Sequence, residues 1–95
     1  MKKYESVIVL NDLLNEGEVK TEILKVESFI NKESGNIIKT DNLGKKQLPY
    51  EIEGHKEGIY VIFYFKGNEN LTNELLGYYR NADNILEFLT IRTNS

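Results

Sequence analysis

The chain has 95 residues, 40% hydrophobic and 28% charged, with a formal net charge of −3, which is one domain of ordinary globular composition built on one core. It has no cysteine and a single histidine, His55, which excludes a disulfide scaffold, a thiolate zinc site, a cysteine nucleophile and a multi-histidine metal centre. No apolar run approaches the ~20 residues of a membrane helix, so a soluble cytoplasmic chain is expected, and its acidity argues against a nucleic-acid binder that works by charge alone.

Tyr4 to Leu10 is β-branched and aromatic and stops at Asn11-Asp12, which predicts a strand. From Glu16 to Lys32 the apolar residues Val19, Ile23, Val26 and Ile30 recur at spacings that gather them on one helical face. Asn15 with Glu18 has the form of a capping box, and Gly35 suits the C′ position. Asn36 to Ile52 is a long polar strand interrupted at Asn42-Leu43-Gly44, with the chain's only proline at position 49. Proline donates no ladder hydrogen bond, so this strand belongs at an edge, bulged near Gly44.

Glu53 to Gly58 reads as a turn, and Ile59 to Phe65 as a central strand, apolar on both faces. Asn70 is the expected N-cap of a second, short helix whose stripe is Leu71, Leu75 and Tyr78. Ile85 to Arg92 is a last strand, and 93–95 a stub. The order is β-α-β-β-α-β. Two split β-α-β units with right-handed crossovers give an α+β, ferredoxin-like fold: a four-stranded antiparallel sheet in order 4-1-3-2, with both helices on one face.

Helices on one face leave the other open, and the strands carry apolar residues for both. With Tyr4, Ile8, Leu10, Phe63, Phe65 and Phe88 turned inward, Val7, Val9, Tyr60, Ile62, Tyr64, Leu89 and Ile91 turn outward. An apolar patch of that size marks a partner surface. Basic residues border it. Lys2 and Lys3 on the first strand fall near Arg92 on the last, Lys45 and Lys46 sit on the edge strand, and Arg80 ends the second helix. Such clusters beside aromatics suit phosphates and stacked bases. Catalysis finds no support. His55 lies in a glycine-flanked turn, the carboxylates are scattered, and no glycine-rich loop joins a strand to a helix.

Four stretches resemble the bacterial small-subunit ribosomal protein six family, in order and over nearly the whole chain. They are Lys3-Tyr4-Glu5 leading into Val7 to Leu10, Leu43 to Ile52, Lys56 to Tyr60, and Asn84 to Arg92. The resemblance implies a structural ribosomal protein that binds the central domain of small-subunit ribosomal RNA as a heterodimer with the small, basic ribosomal protein eighteen. It implies no cofactor, no membrane and no small-molecule substrate. Lys2, Lys3, Lys45, Lys46 and Arg92 become candidate RNA contacts, with Arg80 a weaker one. Tyr50, Tyr60, Ile62, Tyr64, Leu89 and Ile91 become candidate partner contacts. A basic partner would account for both the acidity of the chain and the uncovered apolar face.

The sequence departs from the family pattern at Pro49, where alanine is usual, and in a less basic Gly77 to Arg80. The chain ends at Ser95, so contacts from the longer C-terminal tail of some members are expected to be absent. Two rival readings of the same fold stand beside this one. Gly58 to Phe65 superficially resembles the third-strand signature of the RNA-recognition motif, a single-strand RNA module, but Glu57 and Val61 depart from it. The other rival is a regulatory homo-oligomer that binds a small ligand.

Overall fold

The computed structural model describes residues 1–93. Asn94 and Ser95, the rest of the expected C-terminal stub, lie outside the described residues. Six elements follow in order: β1 (Lys2–Asn11), α1 (Glu16–Lys32), β2 (Asn36–Ile52), β3 (His55–Gly67), α2 (Glu69–Arg80) and β4 (Ile85–Arg92). All pairings are antiparallel and the sheet order is β2-β3-β1-β4, which is the ferredoxin-like topology expected from the sequence.

The capping box of α1 is formed, with Asn15 Oδ1 accepting from Glu18 N–H at 2.8 Å and Glu18 Oε1 accepting from Asn15 N–H at 2.9 Å. The helix ends in a Schellman arrangement one residue away from expectation. Ser34 takes the left-handed conformation (φ 68°) and Gly35 N–H donates to Ile30 O at 2.8 Å. Gly35 is required for space rather than for φ: a Cβ there would lie 2.5 Å from Leu71 Cδ2 and 2.9 Å from Ile30 O.

The N-cap of α2 is Asn68, not Asn70; its side chain accepts from Leu71 N–H at 2.9 Å, so the helix begins at Glu69. The buried stripe is Leu71, Leu75 and Tyr79, with Tyr79 in place of the expected Tyr78. Tyr78 instead stacks on Phe29 of α1 with ring centroids 5.2 Å apart.

The turn between β2 and β3 is shorter than the sequence suggests. Glu53 (φ 47°) and Gly54 (φ 84°) form a two-residue hairpin loop with both φ values positive, the form that matches strand twist. β3 therefore starts at His55. His55 Nδ1 and Asp12 Oδ1 lie 2.6 Å apart, clipping the hairpin to the β1–α1 loop, so this half-buried histidine serves to hold the chain.

The core lies between the sheet and the helices. Ile8, Leu10, Val26, Ile30, Val61, Phe63, Phe65 and Leu75 have no exposed surface. Polar groups sit among them as well. Ser6 Oγ, fully buried, is 2.6 Å from Tyr79 Oη and 2.9 Å from Thr90 Oγ1, which satisfies a hydroxyl that would otherwise cost ~1–3 kcal/mol.

Candidate functional site

Strand register assigns each side chain to a face. Odd-numbered residues of β1 and even-numbered residues of β3 look away from the helices, and their partners on β4 follow. Three rows result across β3, β1 and β4: Tyr60, Val9, Glu87; then Ile62, Val7, Leu89; then Tyr64, Glu5, Ile91. Tyr60, Ile62, Tyr64, Leu89 and Ile91 therefore share one uncovered face. Leu89 is 62% exposed and Ile91 48%, large aliphatics that a lone domain has no structural reason to leave in water side by side.

The sixth candidate, Tyr50, reaches that face by a route the sequence hides. Between Gln47 and Ile52 the edge strand holds five steps against two on β3, so Leu48, Pro49 and Tyr50 arch out of register. Leu48 is 7% exposed although it belongs to no part of the main core. It packs toward Gly58, where an added Cβ would meet Val9 Cγ1 and would lie 3.4 Å from Leu48 Cδ2. Val9 is 5% exposed. The arch thus covers Val9, at one end of the open face, with the chain's own residues. Tyr50 Oη then donates to Glu87 Oε1 at 2.5 Å, spanning from β2 to β4. That bond, with the carboxylate's charge, pushes the Tyr50 hydroxyl above its usual range. Pro49 costs nothing here because the arch makes no ladder bonds.

The basic candidates separate into two groups. Tyr4 pairs with Arg92 and Lys3 O accepts from Thr93 N–H at 2.9 Å, so Lys2, Lys3 and Arg92 all lie at the end of the sheet where β1 begins. Alternation turns Lys3 to the open face and puts Lys2 and Arg92, in step with the inward Tyr4, on the helix side. Lys66, which sequence reasoning passed over, is directly opposite Lys3 on the open face. Like charges so placed destabilise a strand pair by a few tenths of a kcal/mol to ~1 kcal/mol unless an anion joins them, and among the described residues neither lysine has an ion-pair partner. Lys39 is differently engaged, 5.5 Å from the Tyr64 ring centroid and 3.3 Å from Asp41 Oδ2.

Lys45 and Lys46 pair with Ile59 and Gly58 near the opposite end, about 26 Å from Lys66 at ~3.3 Å per residue. Successive strand residues face opposite ways, so Lys46 looks to the open face and Lys45 toward the groove beside α1. They do not form one site. Arg80, exposed at the end of α2, lies at this second end and on the helix side.

Among the described residues no helix is long and apolar enough to cross a membrane, and no cluster of His, Asp and Glu has the makings of a metal site.

Comparison with known proteins places this geometry in context. The family described as Ribosomal protein S6 matches residues 3–92. The small ribosomal subunit protein bS6 of Caldanaerobacter subterraneus subsp. tengcongensis is 37% identical over 94 residues, covering 99% of each chain. That of Helicobacter pylori strain Shi470 is 36% identical over all 95 residues, which span 67% of its length. The crystal structure of 30S ribosomal protein S6 from Thermotoga maritima superposes with a TM-score of 0.92 at 28% identity, covering 97% of this chain and 87% of that one. The P2 domain of the chemotaxis kinase CheA, also from T. maritima, superposes with a TM-score of 0.60 at 15% identity, a likeness of fold alone.

Proposed function

The chain belongs to the ribosomal protein S6 family, and from that membership we propose that it binds the central domain of small-subunit ribosomal RNA as a heterodimer with ribosomal protein eighteen. Its coarser role follows from the family itself: it is a structural protein of the small ribosomal subunit, part of the cytoplasmic ribosome.

The observation that carries the finer reading is the uncovered face, where Leu89 and Ile91 stand exposed beside Ile62 and Tyr64 on a chain of net charge −3. A basic protein laid on this face buries the aliphatics and supplies the positive charge that the chain lacks. The Lys3 and Lys66 pair on this face then meets the RNA backbone beside that partner, with Lys2 and Arg92 at the same end on the helix side. Lys46, with Lys45 and Arg80 on the other side of the sheet, offers a second and weaker contact at the far end. The chain acts by assembly: the composite surface fixes the geometry of an RNA junction by shape and phosphate contacts.

Sedimentation of an equimolar mixture with recombinant ribosomal protein eighteen tests the pairing. A one-to-one complex is expected, and two independently sedimenting proteins would contradict it. The homo-oligomer reading lacks a comparable observation.

A further inference from the structure

The two edges of the sheet are built differently. β2 has three register breaks, one proline, and lysines at positions 39, 45 and 46, the devices that stop a sheet edge from pairing with another chain. β4 has one break, beside Leu10, and then runs from Glu87 to Arg92 in unbroken register without glycine or proline.

The bond from Thr93 N–H to Lys3 O fixes where the backbone of β4 points. In an antiparallel ladder the N–H and C=O of one residue point to the same side, and the side alternates along the strand. Ile91, Leu89 and Glu87 therefore bond inward to β1, while Phe88, Thr90 and Arg92 present their N–H and C=O outward. Beyond that row lies a groove of about 300 Å³ between β4 and α2, lined by Phe88 and Thr90 on one side and Thr72, Asn73 and Leu76 on the other. On the opposite face of the same strand stand Glu87, Leu89 and Ile91.

We infer that β4 is an augmentation edge: the partner adds an extended segment as a fifth strand, bonded to Phe88, Thr90 and Arg92. This rests on the heterodimer reading above and specifies how the partner docks. Side chains of an added strand alternate, one set entering the α2 groove and the other continuing the open face. The open-face set must be aliphatic beside Leu89 and Ile91 and basic beside Glu87, with Glu5 one strand further in adding to the negative charge. The occupant is thus an extended basic and aliphatic segment, which an acidic second copy of this chain supplies less well. Six residues of it span about 20 Å, the length of the unbroken part of β4.

Amide hydrogen exchange on the isotope-labelled chain, alone and saturated with recombinant ribosomal protein eighteen, tests this without any substitution. The amides of Phe88, Thr90 and Arg92 are expected to slow at least about tenfold in the complex, with smaller changes at Leu89 and Ile91, which are already bonded. A complex in which those three amides exchange as in the free chain overturns the strand-addition mode and leaves the heterodimer standing. Absence of any complex overturns the heterodimer and this inference with it. Protection of the same amides in a free chain that sediments as a dimer assigns the edge to a second copy and overturns the inference.

Discussion

Truncating Leu89 to alanine separates the open face as a binding surface from the open face as a structural element. Leu89 is 62% exposed in the free chain, which leaves roughly 100 Å² of apolar surface in water for a partner to cover. At ~25 cal/mol per Å² that surface is worth ~2.5 kcal/mol on burial, and alanine retains about a third, so the substitution removes ~1.5–2 kcal/mol of binding. The dissociation constant should rise about 10- to 30-fold. The free chain should lose under ~1 kcal/mol of stability, because Leu89 lies outside the core cluster. Leu24 is the control: it is 54% exposed, but on α1 in the helix layer. Calorimetric titration with ribosomal protein eighteen, paired with urea unfolding of each free variant, reads both quantities. Equal weakening by Leu24→Ala and Leu89→Ala, or a change under twofold for Leu89→Ala, would refute the assignment of the partner to this face.

Further outcomes follow from the same geometry. Replacing Lys3 and Lys66 together by alanine should flatten the log–log salt dependence of RNA binding by ~1.5 from a slope near −3 for about four phosphates. Lys45→Ala with Lys46→Ala should flatten it by ~1 at most, since the two lysines face opposite ways; an unchanged slope in either double variant removes that pair from the RNA interface. Burial holds the Tyr79 hydroxyl well above the usual tyrosine range, so the folded chain keeps that proton after the unfolded chain releases its own. The stability this contributes is present in full below about pH 10 and lost at ~1.4 kcal/mol per pH unit as pH rises toward the folded value. Tyr79→Phe should cost ~1 kcal/mol at neutral pH through the lost Ser6 bond and should lessen the alkaline decline, read by urea unfolding at pH 7 to 11. Gly58→Ala drives a methyl into Val9 under the Leu48 arch and should cost ~1–3 kcal/mol by the same unfolding assay; a neutral result would mean that the arch is not packed.

The sequence carried the fold because its local signals agree. The capping box at Asn15 and Glu18 appeared as read, and the interruption at Gly44 became a bulge with φ 80°. The central run Ile59 to Phe65 lies between two strands. Strand alternation alone puts Tyr60, Ile62, Tyr64, Leu89 and Ile91 on one face. What stayed hidden depends on register between distant strands. That Lys66 meets Lys3 follows from how β1 and β3 align, which no window of sequence contains. That Lys45 and Lys46 diverge follows from pleating, which adjacency in the sequence disguises. The arch at Leu48 to Tyr50 has no local signature, since its anchors, Val9 and Glu87, come from strands on the far side of β3. The N-cap is Asn68 rather than Asn70: Asn70 directly precedes the apolar Leu71 and so looks like the helix start, but the helix begins earlier, with Glu69 in its first turn and Asn68 Oδ1 accepting from Leu71 N–H.

The most direct test of the assembly role is a binding titration of this chain on a transcribed ribosomal central-domain fragment, with and without recombinant ribosomal protein eighteen. Tight, salt-sensitive binding that requires the partner is the predicted result, because the chain's own cations are split between two ends of the sheet and its net charge is −3. Equal affinity with and without the partner, or no binding in either mixture, would contradict the account.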